Sequence, residues 1–105
     1  MSNGLDRLFA TIASRKGADP KSSYTAKLLA EGVEKCAKKF GEEATETVIA
    51  AISRDKTELA KESADVLYHL LVLWAASGIT PEEVYAVLRA REGRSGLEEK
   101  AARKA

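Results

Sequence analysis

Leu5, Leu8, Phe9 and Ile12 recur at the spacing of one helix face, which predicts an amphipathic helix over residues 4–16. "GADPKSS" follows and reads as a loop. "SYTAKLLAEG" predicts a short helix. Ser22 or Ser23 caps it, because a serine hydroxyl satisfies free N–H groups of a first turn. Residues 31–53 predict one long helix. Gly41 falls inside it, at a cost of about 1 kcal/mol against alanine; it is either a tolerated flaw or room for another backbone or a phosphate to approach. "SRDKTE" then interrupts the pattern. Asp55 with Glu58 resembles a capping box, with aspartate in place of serine or threonine. A helix is predicted from Lys56 to about Ser77, stopped by Gly78. In "TPEEV", Thr80 is the N-cap, Pro81 the first helical residue and Glu83 the third. The last helix runs to about Arg91. β-branched residues are scattered, Pro20 and Pro81 fall at segment edges, and no Asn-Gly or Asp-Gly hairpin signal occurs. The expected fold class is all-α, an antiparallel helical bundle in which two long helices form a hairpin. Residues 1–94 are expected to form one domain, and 95–105 a charged, frayed tail.

Within the long hairpin the acids fall in a mirrored pattern. With the turn centred near Arg54, Glu46 and Glu62 lie equally far from it, and so do Glu43 and Asp65. Antiparallel helices joined by a short loop bring such positions side by side. Glu46 should face Glu62, and Glu43 should face Asp65. Each helix carries its pair three residues apart, on one face. Carboxylates this close repel, and desolvation makes the charged forms costlier. They are therefore exposed, paired with Lys or Arg, or bound to divalent cations. An all-oxygen set suits Mg²⁺ first and Mn²⁺ next; a charged solvent face is the competing reading. Glu42 adds a fifth carboxylate, as a further ligand, an outer acceptor or surface charge. His69 lies four residues after Asp65, but the paired Glu-x-x-His of a di-iron bundle is missing. One histidine also argues against zinc. His69 reads as a hydrogen-bonded core or interface residue.

Lys35, Lys38 and Lys39 precede these acids, and Lys27, Arg15 and Lys16 lie on the shorter helices. Singly they are helix-surface charge; together they would form a phosphate-binding rim, in which cations neutralise a polyphosphate. The chain of 105 residues is long enough for one domain and not for two. Its net charge of +1 gives no global pull toward nucleic acid or a membrane. Cys36, the single cysteine, fits a reducing cytoplasm. The N-terminus lacks the apolar core of a signal peptide. The run "VLYHLLVLWAA" at 66–76 is too short to span a bilayer. It is apolar almost all round the helix, more than one small chain can cover, so a homodimer is expected.

"SYTAKLL", "KKFGEEATETVIAA" and "ESADVLYHLLVL" strongly resemble the phosphoribosyl-ATP pyrophosphatase family of the all-α nucleotide pyrophosphohydrolase (MazG-like) superfamily. The resemblance extends to about Arg91. The superfamily's E-x-x-E, spacer, E-x-x-D motif falls on Glu43, Glu46, Glu62 and Asp65, with Phe40 where a valine-like residue is usual before "GEEATE". The resemblance implies Mg²⁺-dependent hydrolysis of phosphoribosyl-ATP to phosphoribosyl-AMP and pyrophosphate in histidine biosynthesis, by a helical homodimer. On that reading Glu43, Glu46, Glu62 and Asp65 hold metal, with Glu42 as a further candidate. Glu46 is the candidate general base, and Lys38, Lys39 and Lys27 are the candidate phosphate contacts. Two other classes compete. One is a house-cleaning hydrolase acting on dUTP or another noncanonical triphosphate, against which "SYTAKLL" argues. The other is a non-enzymatic helical interaction module, against which the mirrored acid pairs argue.

Overall fold

A computed structural model describes residues 3–92. They fold into five helices: α1 (Gly4–Ser14), α2 (Tyr24–Glu31), α3 (Val33–Ile52), α4 (Lys56–Ser77) and α5 (Pro81–Arg91). No strand occurs among the described residues, as the all-α expectation required. The tail expected at 95–105 lies outside the described residues.

Local chemistry sets the helix ends. Asn3 caps α1, accepting the Asp6 N–H at 2.8 Å while Asp6 accepts the Asn3 N–H in return. Ser23, one of the two serines foreseen, caps α2 through the Ala26 N–H. α1 ends at Ser14, two residues before the expected end. The start of α3 is also corrected. Gly32 takes φ 95°, a backbone that side-chain-bearing residues avoid, so α2 stops and α3 begins at Val33. Asp55 caps α4 by accepting the Glu58 N–H at 3.0 Å. Gly78, in the left-handed region at φ 76°, ends α4. There the Ile79 N–H reaches the Trp74 carbonyl and the Gly78 N–H reaches Ala75, the two bonds of a Schellman turn. Thr80, Pro81 and Glu83 open α5 with the full reciprocal box.

α3 and α4 pack together more extensively than any other pair. Only Ser53, Arg54 and Asp55 separate them, with Arg54 at φ 61° making the reversal. The buried core joins Ile12, Leu28, Cys36, Leu71 and Val72 from α1 to α4. Each fully buried aliphatic side chain contributes roughly 1.5–3 kcal/mol. α5 packs on α1, where the Tyr85 hydroxyl donates to Asp6 at 3.0 Å. Among the described residues no single helix is long and apolar enough to cross a membrane.

Candidate metal centre and adjoining cleft

Glu43 projects from α3, and Glu62 and Asp65 from successive turns of α4. Each offers a carboxylate oxygen, and the three atoms lie within 4.8 Å of one another. Glu43 and Asp65 are half-buried, and Glu62 is the most enclosed of the three. The mirrored pairing of Glu43 with Asp65 is thus realised. Glu46, expected to face Glu62, is not among the three converging carboxylates; the neighbouring Thr47 reaches α4, its Oγ1 lying 3.2 Å from the Glu62 carbonyl. Glu46 is exposed, outside the trio, and makes no ion pair among the described residues.

The trio is electrostatically strained. Partial burial pushes the Glu62 carboxyl above its ordinary value; the charge of Asp65, a hydrogen bond with Glu58 and the charge of Glu43 raise it further. No Lys or Arg pairs with these three acids among the described residues, which removes one of the three ways of relieving them. Opposite ligands on an octahedral Mg²⁺ sit roughly 4.2 Å apart, twice the metal–oxygen distance. Three oxygen donors spread over little more than that span fit a hard divalent cation.

The backbone beneath the acids is held from the side. Thr47 Oγ1 donates to the carbonyls of Glu43 at 2.9 Å and of Glu62. His69, buried as expected of a core histidine, has Nδ1 2.8 Å from the Asp65 carbonyl. A carbonyl oxygen only accepts, so Nδ1 carries the proton and, in the neutral ring, Nε2 accepts. Tyr24 supplies that donor, its hydroxyl 3.4 Å from Nε2. Tyr68 stacks near Tyr24 and bonds Thr25, tying α2 to α4.

Tyr24 also opens onto a cleft of about 270 Å³, which Lys27, Leu28, Glu31, Lys35, Lys39 and Glu42 line with it. Burial pushes the Tyr24 hydroxyl up, Lys39 opposes that shift, and Glu43 adds to it. Tyr24 bonds His69, which bonds the Asp65 carbonyl, so the cleft adjoins the trio. Lys39 pairs with Glu42 at 3.2 Å, and that hydrogen bond is the main cause of its raised pKa. Two of the three expected phosphate contacts, Lys27 and Lys39, line the cleft; Lys38 is exposed and does not. Glu42 lies in the cleft wall and outside the trio. Gly41 has open space where a side chain would begin, so no other helix among the described residues approaches it there. Tyr24 lies inside "SYTAKLL" and Thr47 one turn from Glu43, yet neither residue type signals chemistry by itself, so sequence alone points to neither.

A helical bundle that gathers three carboxylates beside a lysine-lined cleft defines a class: an all-α protein with a candidate cation site next to a cleft suited to an anion. The sequence model of the phosphoribosyl-ATP pyrophosphohydrolase family matches residues 5–92. The phosphoribosyl-ATP pyrophosphatase of Parvibaculum lavamentivorans is 69% identical over 99 residues, covering 94% of this chain and 91% of that protein. The protein of the same name from Cereibacter sphaeroides (strain ATCC 17029) is 65% identical over 99 residues, covering 94% of this chain and 96% of its own length. The one from Azospirillum brasilense is 60% identical over 100 residues, covering 95% and 90%. The chain belongs to the phosphoribosyl-ATP pyrophosphohydrolase family.

Proposed function

We propose that this chain hydrolyses phosphoribosyl-ATP to phosphoribosyl-AMP and pyrophosphate, a step of histidine biosynthesis, with Mg²⁺ as its cofactor and Mn²⁺ able to substitute. Family membership supports the reaction. The observation that carries the metal reading is the trio of Glu43, Glu62 and Asp65, gathered with no Lys or Arg paired to it among the described residues. These three residues would hold the cation. A bound divalent cation neutralises charge on the phosphate oxygens and lowers the pKa of a coordinated water. Lys27 and Lys39 bind the phosphate chain from the cleft wall, with Lys35 beside them and Lys38 at the rim. A phosphate that draws Lys39 away from Glu42 leaves that carboxylate available as a further ligand. Glu46, exposed one turn after Glu43, takes the proton of the attacking water or completes the ligand set. Reaction in the cytoplasm suits the free, buried Cys36 thiol, which donates to the Leu28 carbonyl.

The chain acts as a homodimer on this reading. Val48, Ile49 and Ile52 form an exposed apolar stripe on α3, and Leu67 is exposed on α4. A second copy is the natural cover for them.

The test is pyrophosphate release from phosphoribosyl-ATP, ATP and dUTP, compared side by side with Mg²⁺ and with EDTA. Release from phosphoribosyl-ATP well above the other two, and only with Mg²⁺, is the expected result. Preference for dUTP would instead indicate a house-cleaning hydrolase, and release from none would indicate a helical interaction module.

A further inference from the structure

Thr47 makes the one side-chain hydrogen bond that joins α3 to α4 among the described residues, and it does so at the trio. Its Oγ1 lies 2.9 Å from the Glu43 carbonyl, in its own helix, and 3.2 Å from the Glu62 carbonyl across the hairpin. One hydroxyl proton is thus shared between the backbones of two of the three acids. A threonine bonding the carbonyl four residues back is ordinary in helices; Thr45 does so to Gly41 and makes no other side-chain hydrogen bond among the described residues. The reach to a second helix distinguishes Thr47.

We propose that Thr47 is a positioning residue for the candidate metal centre, fixing the separation of Glu43 from Glu62 so that their carboxylates converge before a cation arrives. Among the described residues neither carboxylate is paired with a cationic side chain, and the two repel each other. Convergence therefore depends on the backbones from which they project. Both carbonyls lie inside helices and accept intrahelical N–H bonds as well. Loss of the hydroxyl leaves neither unsatisfied, so its effect falls on the spacing of the acids more than on folding. Groups that orient metal ligands typically carry 10- to 100-fold in metal affinity.

The proposal rests on the reading of the trio as a metal site, and one experiment separates the two. Mn²⁺ is titrated calorimetrically into metal-free wild type, Thr47→Val, which keeps the shape without the hydroxyl, and Thr47→Ser, which keeps the hydroxyl. Thr47→Val is expected to bind about tenfold more weakly. Its metal-free melting temperature should move by less than about 8 °C, the shift one lost hydrogen bond produces in a domain of this size. Thr47→Ser is expected to recover most of the affinity. If Thr47→Val does not fold, Thr47→Ala takes its place against Thr47→Ser. Equal affinity with and without the hydroxyl, or a serine variant as weak as valine, overturns the role of Thr47 alone. A wild type that binds no Mn²⁺ overturns the metal reading itself, and this role with it.

Discussion

Glu62 carries the clearest electrostatic mark of the site. Its carboxyl titrates above the ordinary value of 4.5 because burial, Asp65, Glu58 and Glu43 all oppose its charge. Between the ordinary value and the raised one, the folded chain holds a proton that the unfolded chain has released. The contribution of Glu62 to stability therefore falls as pH rises through that window, and is lowest and level above it. In EDTA, Glu62→Gln should gain melting temperature relative to wild type as pH rises from 4.5, the difference reaching a plateau once the folded carboxyl is ionised. A difference independent of pH, or one that shrinks with rising pH, would show that Glu62 is not strained by its neighbours. At this scale sequence spacing identified Glu43, Glu62 and Asp65, because i, i+3 pairs on facing helices are geometrically tied. It also put Glu46 beside Glu62, and Glu46 is exposed and not one of the three that converge. It did not reveal Thr47, whose part depends on a bond between residues fifteen apart.

At the scale of elements, the ends carrying capping chemistry were legible. Ser23, Asp55, Gly78 and the Thr80–Glu83 box stand where the chain pattern put them. Each satisfies groups within a few residues of itself, so neighbours in sequence suffice to determine it. Two boundaries were less legible. α1 ends at Ser14, although Arg15 and Lys16 are good helix formers, and nothing apolar follows to hold another turn. Gly32 read as the tail of one helix running into the next, yet its positive φ separates α2 from α3. That break lets α2 lie against α4, where Tyr24 meets His69 and Thr25 meets Tyr68. Continuous with α3, α2 could not bring Tyr24 and Lys27 to the cleft. The bend at Gly32 therefore matters as much to the site as the α3–α4 hairpin does, though only packing at a distance decides it.

The molecule as a whole is a small bundle that leaves apolar surface uncovered. Ile52 is 75% exposed, Ile49 57% and Val48 56%. Leu71 and Val72 are fully buried, while Leu67, one turn earlier on the face of Leu71, stays exposed. Light scattering at micromolar concentration should give twice the mass of one chain, and Ile52→Glu should shift the species toward the monomer. A wild-type monomer would remove the reason for pairing. On the proposed reading Glu43, Glu62 and Asp65 converge in order to bind a divalent cation. Melting wild type and Glu62→Gln at neutral pH, with EDTA and with Mg²⁺, tests this. Mg²⁺ at a hundred times its Kd stabilises a folded protein by roughly 2.7 kcal/mol, about 10 °C in a domain of this size. Wild type should rise by that order. Glu62→Gln should melt at least as high as wild type in EDTA, because one repelling charge is gone, and should gain little from Mg²⁺. A variant that melts well below wild type in EDTA, yet responds to Mg²⁺ as fully, would contradict the claim and make Glu62 a structural residue.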